Sequence, residues 1–168
     1  MAEKKTLRKW FWVWDFEREE EWLNEMALTG WALSGVGLCS YTFEKCEPGE
    51  YAVRLEMHEA DADYIDFMKE TGAEYVGRMV AWIYFRRKAE DGAFDLFSNI
   101  DSRIGHLKRI GRMLAISCAA NLLIGLGNNM NGIRFAWINL VCAALLAYAL
   151  GRIHGKEEAL ERERRLRE

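Results

Sequence analysis

The residues of this chain best suited to chemistry are aromatic. The segment KWFWVWDF, residues 9–16, places Trp10, Trp12 and Trp14 two apart, with Phe11 and Val13 between them. A period of two puts alternate side chains on opposite faces of an extended strand, so the three indoles are expected on one face. Aromatic walls with a few charges at the rim suit a small molecule or a peptide. On an open sheet, aromatics can also stack bases. The usual signs of catalysis or metal binding are weak. Cys39, Cys46, Cys118 and Cys142 make no CxxC pair, and His58, His106 and His154 are scattered. GVG at 35–37 lacks a GxGxxG continuation, and nothing resembles a P-loop. The carboxylates of FEREEEW read as the solvated first turns of a helix, favoured there by its dipole. No nucleophile–base pair follows from spacing, so the expectation is a protein that is not an enzyme, with no catalytic residues, no metal and no cofactor.

An internal repeat indicates which elements position the tryptophans. Shifting the chain by 42 residues aligns 10–46 with 52–88 and pairs Glu17/Glu59, Met26/Met68, Thr29/Thr71, Gly30/Gly72, Gly35/Gly77 and Phe43/Phe85. Each copy reads strand, helix, strand. WFWVW and YAVRLEM alternate as strands. Trp22, Leu23 and Met26, like Tyr64, Ile65 and Met68, fall at helical spacing. Gly30 and Gly72 stand where a helix end favours a left-handed residue. LCSYTFEKC and VAWIYFRRK alternate again, EPGE joins the copies, and FDLF is expected as a short further strand. Two such units predict an α+β, ferredoxin-like βαββαβ sandwich over residues 1–97, with one four-stranded antiparallel sheet and both helices on one face.

Parity in the repeat assigns the faces. Phe11 and Val13 align with Val53 and Leu55 toward the helices, together with Cys39, Tyr41, Phe43, Ala81, Ile83 and Phe85. The tryptophans align with Ala52, Arg54 and Glu56, a face whose charges argue against burial. The expected ligand- or partner-binding surface is therefore Trp10, Trp12, Trp14, Arg54, Glu56, Trp82, Tyr84 and Arg86, edged by Glu44. An aromatic face of this size exceeds what a soluble monomer normally exposes. It admits three readings: a face covered by another element or a second copy, a platform for a small molecule or peptide, and an RNA-binding sheet. The formal net charge of −3 and the lack of a KGFGFV-like segment weigh against the last, so no nucleic-acid partner is expected.

The second half differs in composition. Residues 113–127 and 135–151 contain no charged side chain, and the N-terminus lacks the apolar core of a signal peptide. With Arg112 and Arg134 snorkelling at their ends, the two stretches approach membrane-spanning length. A two-helix transmembrane hairpin over 113–151 is expected, with a buried hairpin in a soluble oligomer as the alternative. Small residues such as Ala119, Ala120, Gly125 and Ala143 suit close helix contact in lipid. Arg103, Lys108, Arg109 and Arg112 precede the hairpin, and Arg152, Lys156, Arg162, Arg164 and Arg165 follow it, whereas NNMNGIR carries one charge. The positive-inside rule then places both termini in the cytoplasm of a multi-pass protein of the inner (cytoplasmic) membrane. Residues 98–112 read as an amphipathic linker helix capped by Ser98 or Asp101, and 152–168 as a solvated charged tail.

KWFWVWDF together with WLNEMALTGWAL, ETGAEYVG and LFSNIDSRI resembles the bacterial family of domain of unknown function 2812 over roughly residues 5–110. Many members carry a similar apolar C-terminal pair. The resemblance implies a membrane-linked regulatory system, because members tend to be encoded beside PadR-like regulators. It brings no catalytic residues. Taken together, these readings point to a membrane-anchored cytoplasmic sensing or adaptor protein with a protein partner. The alternative is a structural homo-oligomer whose aromatic sheet face is the subunit interface.

Overall fold

Helices α1 (Phe16–Leu28) and α2 (Ala62–Glu70) end in the same way, which makes the internal repeat visible in three dimensions. Thr29 Oγ1 donates to the Met26 carbonyl at 2.8 Å, and Thr71 Oγ1 donates to that of Met68 at 2.7 Å. Gly30 and Gly72 come next, both at φ +83°, a left-handed conformation that glycine adopts without steric cost. The computed structural model describes residues 3–59, 61–97 and 99–167.

Each half of the N-terminal unit is strand, helix, then a hairpin. The strands are β1 (Lys4–Arg8), β2 (Trp31–Gly37), β3 (Ser40–Lys45), β4 (Tyr51–Met57), β5 (Glu74–Met79) and β6 (Trp82–Lys88). They form two three-stranded antiparallel sheets, ordered β1-β3-β2 and β4-β6-β5, in place of the single four-stranded sheet expected. Strand β1 precedes the segment expected as the first strand, and β2 and β5 are additions to the expected pattern. Their glycines weaken the strand signal, and Gly35 and Gly77 mark a register shift at the equivalent place in each hairpin. The two sheets meet along β2 and β5, where a Cβ on Gly77 would lie 3.0 Å from Val36 Cγ2.

The expected strand over residues 10–14 does not form. Arg8 pairs with Ser40 and Lys9 N–H reaches the Cys39 carbonyl, where β3 gives way to its hairpin turn. Beyond that point the chain has no ladder partner, so it cannot continue as a paired strand. It runs on without a ladder to Trp12, whose backbone is extended, and then turns through a 3₁₀ turn, Val13–Asp15, into α1. FDLF likewise forms no strand in the described residues, and Phe94 packs with Met68, Ala73, Ile83 and Phe85.

The register of β4 with β6 also corrects the expected parity. Leu55 pairs with Tyr84 and Val53 with Arg86, whereas Arg54 pairs with Phe85 and Glu56 with Ile83. Directly paired residues share a face, so Val53 and Leu55 lie with Tyr84 rather than with Ile83 and Phe85. Both faces are covered: the Ile83 and Phe85 side packs with Met68 of α2, and Trp82 and Tyr84 meet Phe16 and Glu19 of α1. Trp82, Tyr84 and Glu56 are therefore buried, and the helix-free aromatic sheet face is not present.

The second unit spans Phe97–Glu168 and is a pair of long helices, α3 (Ile100–Met130) and α4 (Ala136–Arg167). Helix α3 is continuous through the expected linker and first apolar stretch. Its cap is Asn99, whose side chain accepts from Ser102 N–H at 2.8 Å while Ser102 Oγ accepts from Asn99 N–H. Of the expected caps, Asp101 lies inside the first turn and Ser98 lies outside the described residues. Both helices are long and apolar enough to cross a membrane, and 22% of the apolar window of each is buried within the protein. Where they touch, small residues allow close approach: a Cβ on Gly125 would meet Leu140 Cδ2 at 2.8 Å, and Cys118 Sγ lies 3.3 Å from the Ala143 carbonyl. The polar ends stay paired. Lys108 bridges Glu157 and Glu161, and Arg164 bridges Asp101, beside buried Ile104, Leu107, Ile110 and Ile153.

Candidate functional site

The aromatic segment builds a groove without forming a strand. Phe11 and the tryptophans nevertheless diverge, as their ring contacts show. Phe11 turns inward against Trp22 and Tyr41, with ring centroids at 5.7 and 6.3 Å. Trp22 continues the contact to Tyr41 and Phe43 at 5.1 and 5.6 Å. On the other side Trp12 stacks on Trp14 at 5.0 Å with planes 6° apart, and Trp10 meets Trp12 edge-on at 5.5 Å. Trp10 keeps 61% and Trp12 46% of its surface exposed, large values for the most costly apolar side chain to leave in water. Between these rings lies an open groove of about 470 Å³, lined by Lys9, Trp10, Phe11, Trp12, Asp15, Arg18, Glu21, Trp22 and Glu25.

One wall of the groove is the outer surface of α1, and the inner surface of the same helix explains why it is held so firmly. Phe16, Glu19, Leu23 and Ala27 are the buried positions, at helical spacing. Glu19 thus occupies a core position, and its Oε1 accepts from Tyr41 OH at 2.8 Å and from Tyr84 OH at 2.6 Å. Burial raises the Glu19 carboxyl, and the two phenol hydrogen bonds oppose the rise. Burial and the Glu19 charge push both tyrosines above the usual phenol range. The carboxylate therefore ties α1 to one strand of each sheet.

The neighbouring side chains cover an exposed strand edge. Strand β4 lies at the edge of its sheet, where unpaired backbone groups need partners. Asn24 of α1 accepts from Val53 N–H at 2.9 Å and donates to the Val53 carbonyl at 3.0 Å. Glu20 Oε2 accepts from Leu55 N–H at 3.1 Å, and Glu20 Oε1 lies 3.5 Å from Arg54 Nη1. Burial pushes the Glu20 carboxyl up to about 7, against the opposing pull of Arg54 and the Leu55 amide. Glu19 and Glu20, expected as solvated, are thus parts of the framework.

The expected site residues separate into two groups. Trp10 and Trp12 line the groove and Trp14 stacks beneath Trp12. The remaining five lie elsewhere. Trp82 packs on Phe16 at 5.4 Å, Tyr84 donates to Glu19, Glu56 accepts from Tyr64 OH, and Arg54 faces Glu20. Arg86 joins the sheets, donating to Glu44 at 2.7 Å, to Glu74 at 2.8 Å and to the Leu33 carbonyl at 3.0 Å. Sequence reasoning missed Lys9, Phe11, Asp15, Arg18, Glu21, Trp22 and Glu25 as groove residues. Their helical phase was available: Arg18, Glu21, Trp22 and Glu25 recur at three- and four-residue spacing on one side of α1. Among the described residues, no group of three or more His, Cys, Asp or Glu could hold a metal ion.

Fold and site together define an α+β unit with an aromatic groove, joined in sequence to two apolar helices of membrane-crossing length. The chain belongs to the family described as Protein of unknown function (DUF2812), which matches residues 15–119 and so takes in α1, both hairpins and much of α3. No curated protein and no solved structure matches it.

Proposed function

We propose that this protein is a membrane-anchored sensing or adaptor protein whose N-terminal unit binds a ligand or partner through the groove at residues 9–25. The observation that carries the reading is the exposure of Trp10 and Trp12 on the wall of a 470 Å³ groove, above a helix fastened by buried polar contacts. Exposed aromatic anchors on a rigid support favour binding, because little side-chain freedom is lost on contact. Helices α3 and α4 form the anchor, and the basic flanks orient both termini toward the cytoplasm. A PadR-like regulatory system is the partner that the family resemblance suggests. The role assigned is binding rather than catalysis.

Affinity capture from native membranes, comparing the wild-type chain with a Trp10→Ala/Trp12→Ala variant, tests this reading. The expected result is a specific protein that co-purifies with the wild type and is lost from the variant, at unchanged thermal stability. Identical co-purification by both would refute the groove as the binding surface. Loss of self-association alone, with no other protein affected, would favour the homo-oligomer.

A further inference from the structure

The groove already contains a cation. Lys9 Nζ lies 4.4 Å from the centroid of Trp22 and 4.8 Å from that of Phe11, inside the roughly 6 Å over which an aromatic face attracts a cation. Among the described residues Lys9 makes no ion pair, so rings rather than a carboxylate hold its ammonium. Two ring faces converging on one charge form a seat whose chemistry suits an ammonium group.

The charges of the lining agree with this. Asp15, Glu21 and Glu25 outnumber Lys9 and Arg18, and the balance becomes more negative when the Lys9 side chain moves away. Trp10 and Trp12, edge-on at 5.5 Å, supply a second aromatic wall to the same groove. A phosphate or carboxylate ligand would meet three carboxylates against two cations, and a neutral apolar ligand would gain nothing from that balance. Lysine has a flexible four-carbon stem, and Lys9 is solvent-exposed, so an incoming cation can displace it.

We propose that the groove is a binding site for a compact organic ammonium ion, primary or quaternary, and that Lys9 occupies the Phe11–Trp22 seat when no ligand is bound. Lys9 is then an internal competitor. Removing it strengthens binding, whereas a Lys9 that contacted the ligand directly would weaken binding on removal. This proposal rests on the groove being the binding surface and specifies the class of ligand.

Calorimetric titration of the full chain in a maltoside detergent, at matched ionic strength, tests it. The probes are choline chloride, the neutral isostere 3,3-dimethyl-1-butanol, and glycerophosphocholine, which stands for a lipid headgroup. Choline is expected to bind saturably, with the neutral isostere at least tenfold weaker and glycerophosphocholine at least fivefold weaker. Lys9→Ala is expected to bind choline at least fivefold more tightly, and Trp22→Leu to lose binding. Because Lys9 is exposed, its variant tests the seat even if Trp22→Leu fails to fold. Absence of choline binding, equal binding of either comparison compound, or unchanged or weaker binding by Lys9→Ala would overturn the proposal. If choline fails to bind but Trp12-dependent capture persists, only the ammonium assignment falls and the adaptor reading stands.

Discussion

At the residue scale the most informative group is Glu20. Its folded pKa of about 7 lies above the ordinary 4.5, so between these values the native state holds a proton that the unfolded chain has lost. Stability is therefore greatest at the acid end of this interval and declines as pH rises through about 7. The Glu20 share of this dependence, read as the difference between wild type and Glu20→Gln in urea unfolding monitored by near-ultraviolet circular dichroism, is expected to be a loss on the order of 2 kcal/mol from pH 5 to pH 8. Equal pH slopes for wild type and Glu20→Gln would remove Glu20 from the account. Tyr84→Phe leaves Glu19 with one phenol donor in place of two and is expected to cost about 1–2 kcal/mol in the same assay. Val80 presents the opposite case. It is a β-branched residue at φ +57° on an exposed hairpin turn, and Val80→Asn is expected to stabilise by about 1 kcal/mol.

At the element scale, α1 is both a core helix and a substitute for a missing neighbour strand. Asn24 pairs the backbone N–H and C=O of Val53 much as a β-strand would, which protects the edge of the second sheet. Asn24→Ala orphans the Val53 N–H, whereas the Val53 carbonyl still accepts from Arg54 Nη1 at 2.9 Å, and is expected to cost about 1–2 kcal/mol by urea unfolding. A change within the cost of an ordinary surface substitution would mean that water replaces the side chain. The helical hairpin depends on close approach instead. Gly125→Val places atoms where Leu140 already sits and is expected to lower the thermal midpoint of the detergent-solubilised chain, whereas Gly127→Val, with open space at its Cβ, leaves it unchanged.

At the scale of the whole molecule, α3 and α4 carry apolar surface that the described residues leave uncovered. Ile116 and Leu123 on α3 and Trp137 on α4 each leave more than half of their surface uncovered, as does Phe135 in the turn before α4. Apolar surface of this extent on two adjacent helices suits lipid or a second protein surface, and the proposed anchor takes the first. The wild-type chain is expected in the membrane pellet after alkaline washing, and a chain ending at Leu96 in the soluble fraction. Wild-type protein that is soluble without detergent would refute the anchor.

Local pattern was enough to determine several features. Period-two alternation marked β3, β4 and β6, helical spacing marked α1 and α2, and Gly30 and Gly72 marked the two helix ends, because each depends on backbone preferences within a few residues. Uncharged runs of sufficient length identified the apolar helices for the same reason. The face on which Trp82 and Tyr84 lie was not accessible in this way. It depends on the register of β4 against β6 and on α1 packing over that side, and both are long-range choices. The tryptophan run alternates as a strand should, but a strand requires a partner, and β3 ends opposite Arg8. Only the tertiary structure decided that Trp10 and Trp12 would remain exposed above α1, that Glu19 would be buried between two tyrosines, and that Lys9 would lie against Phe11 and Trp22.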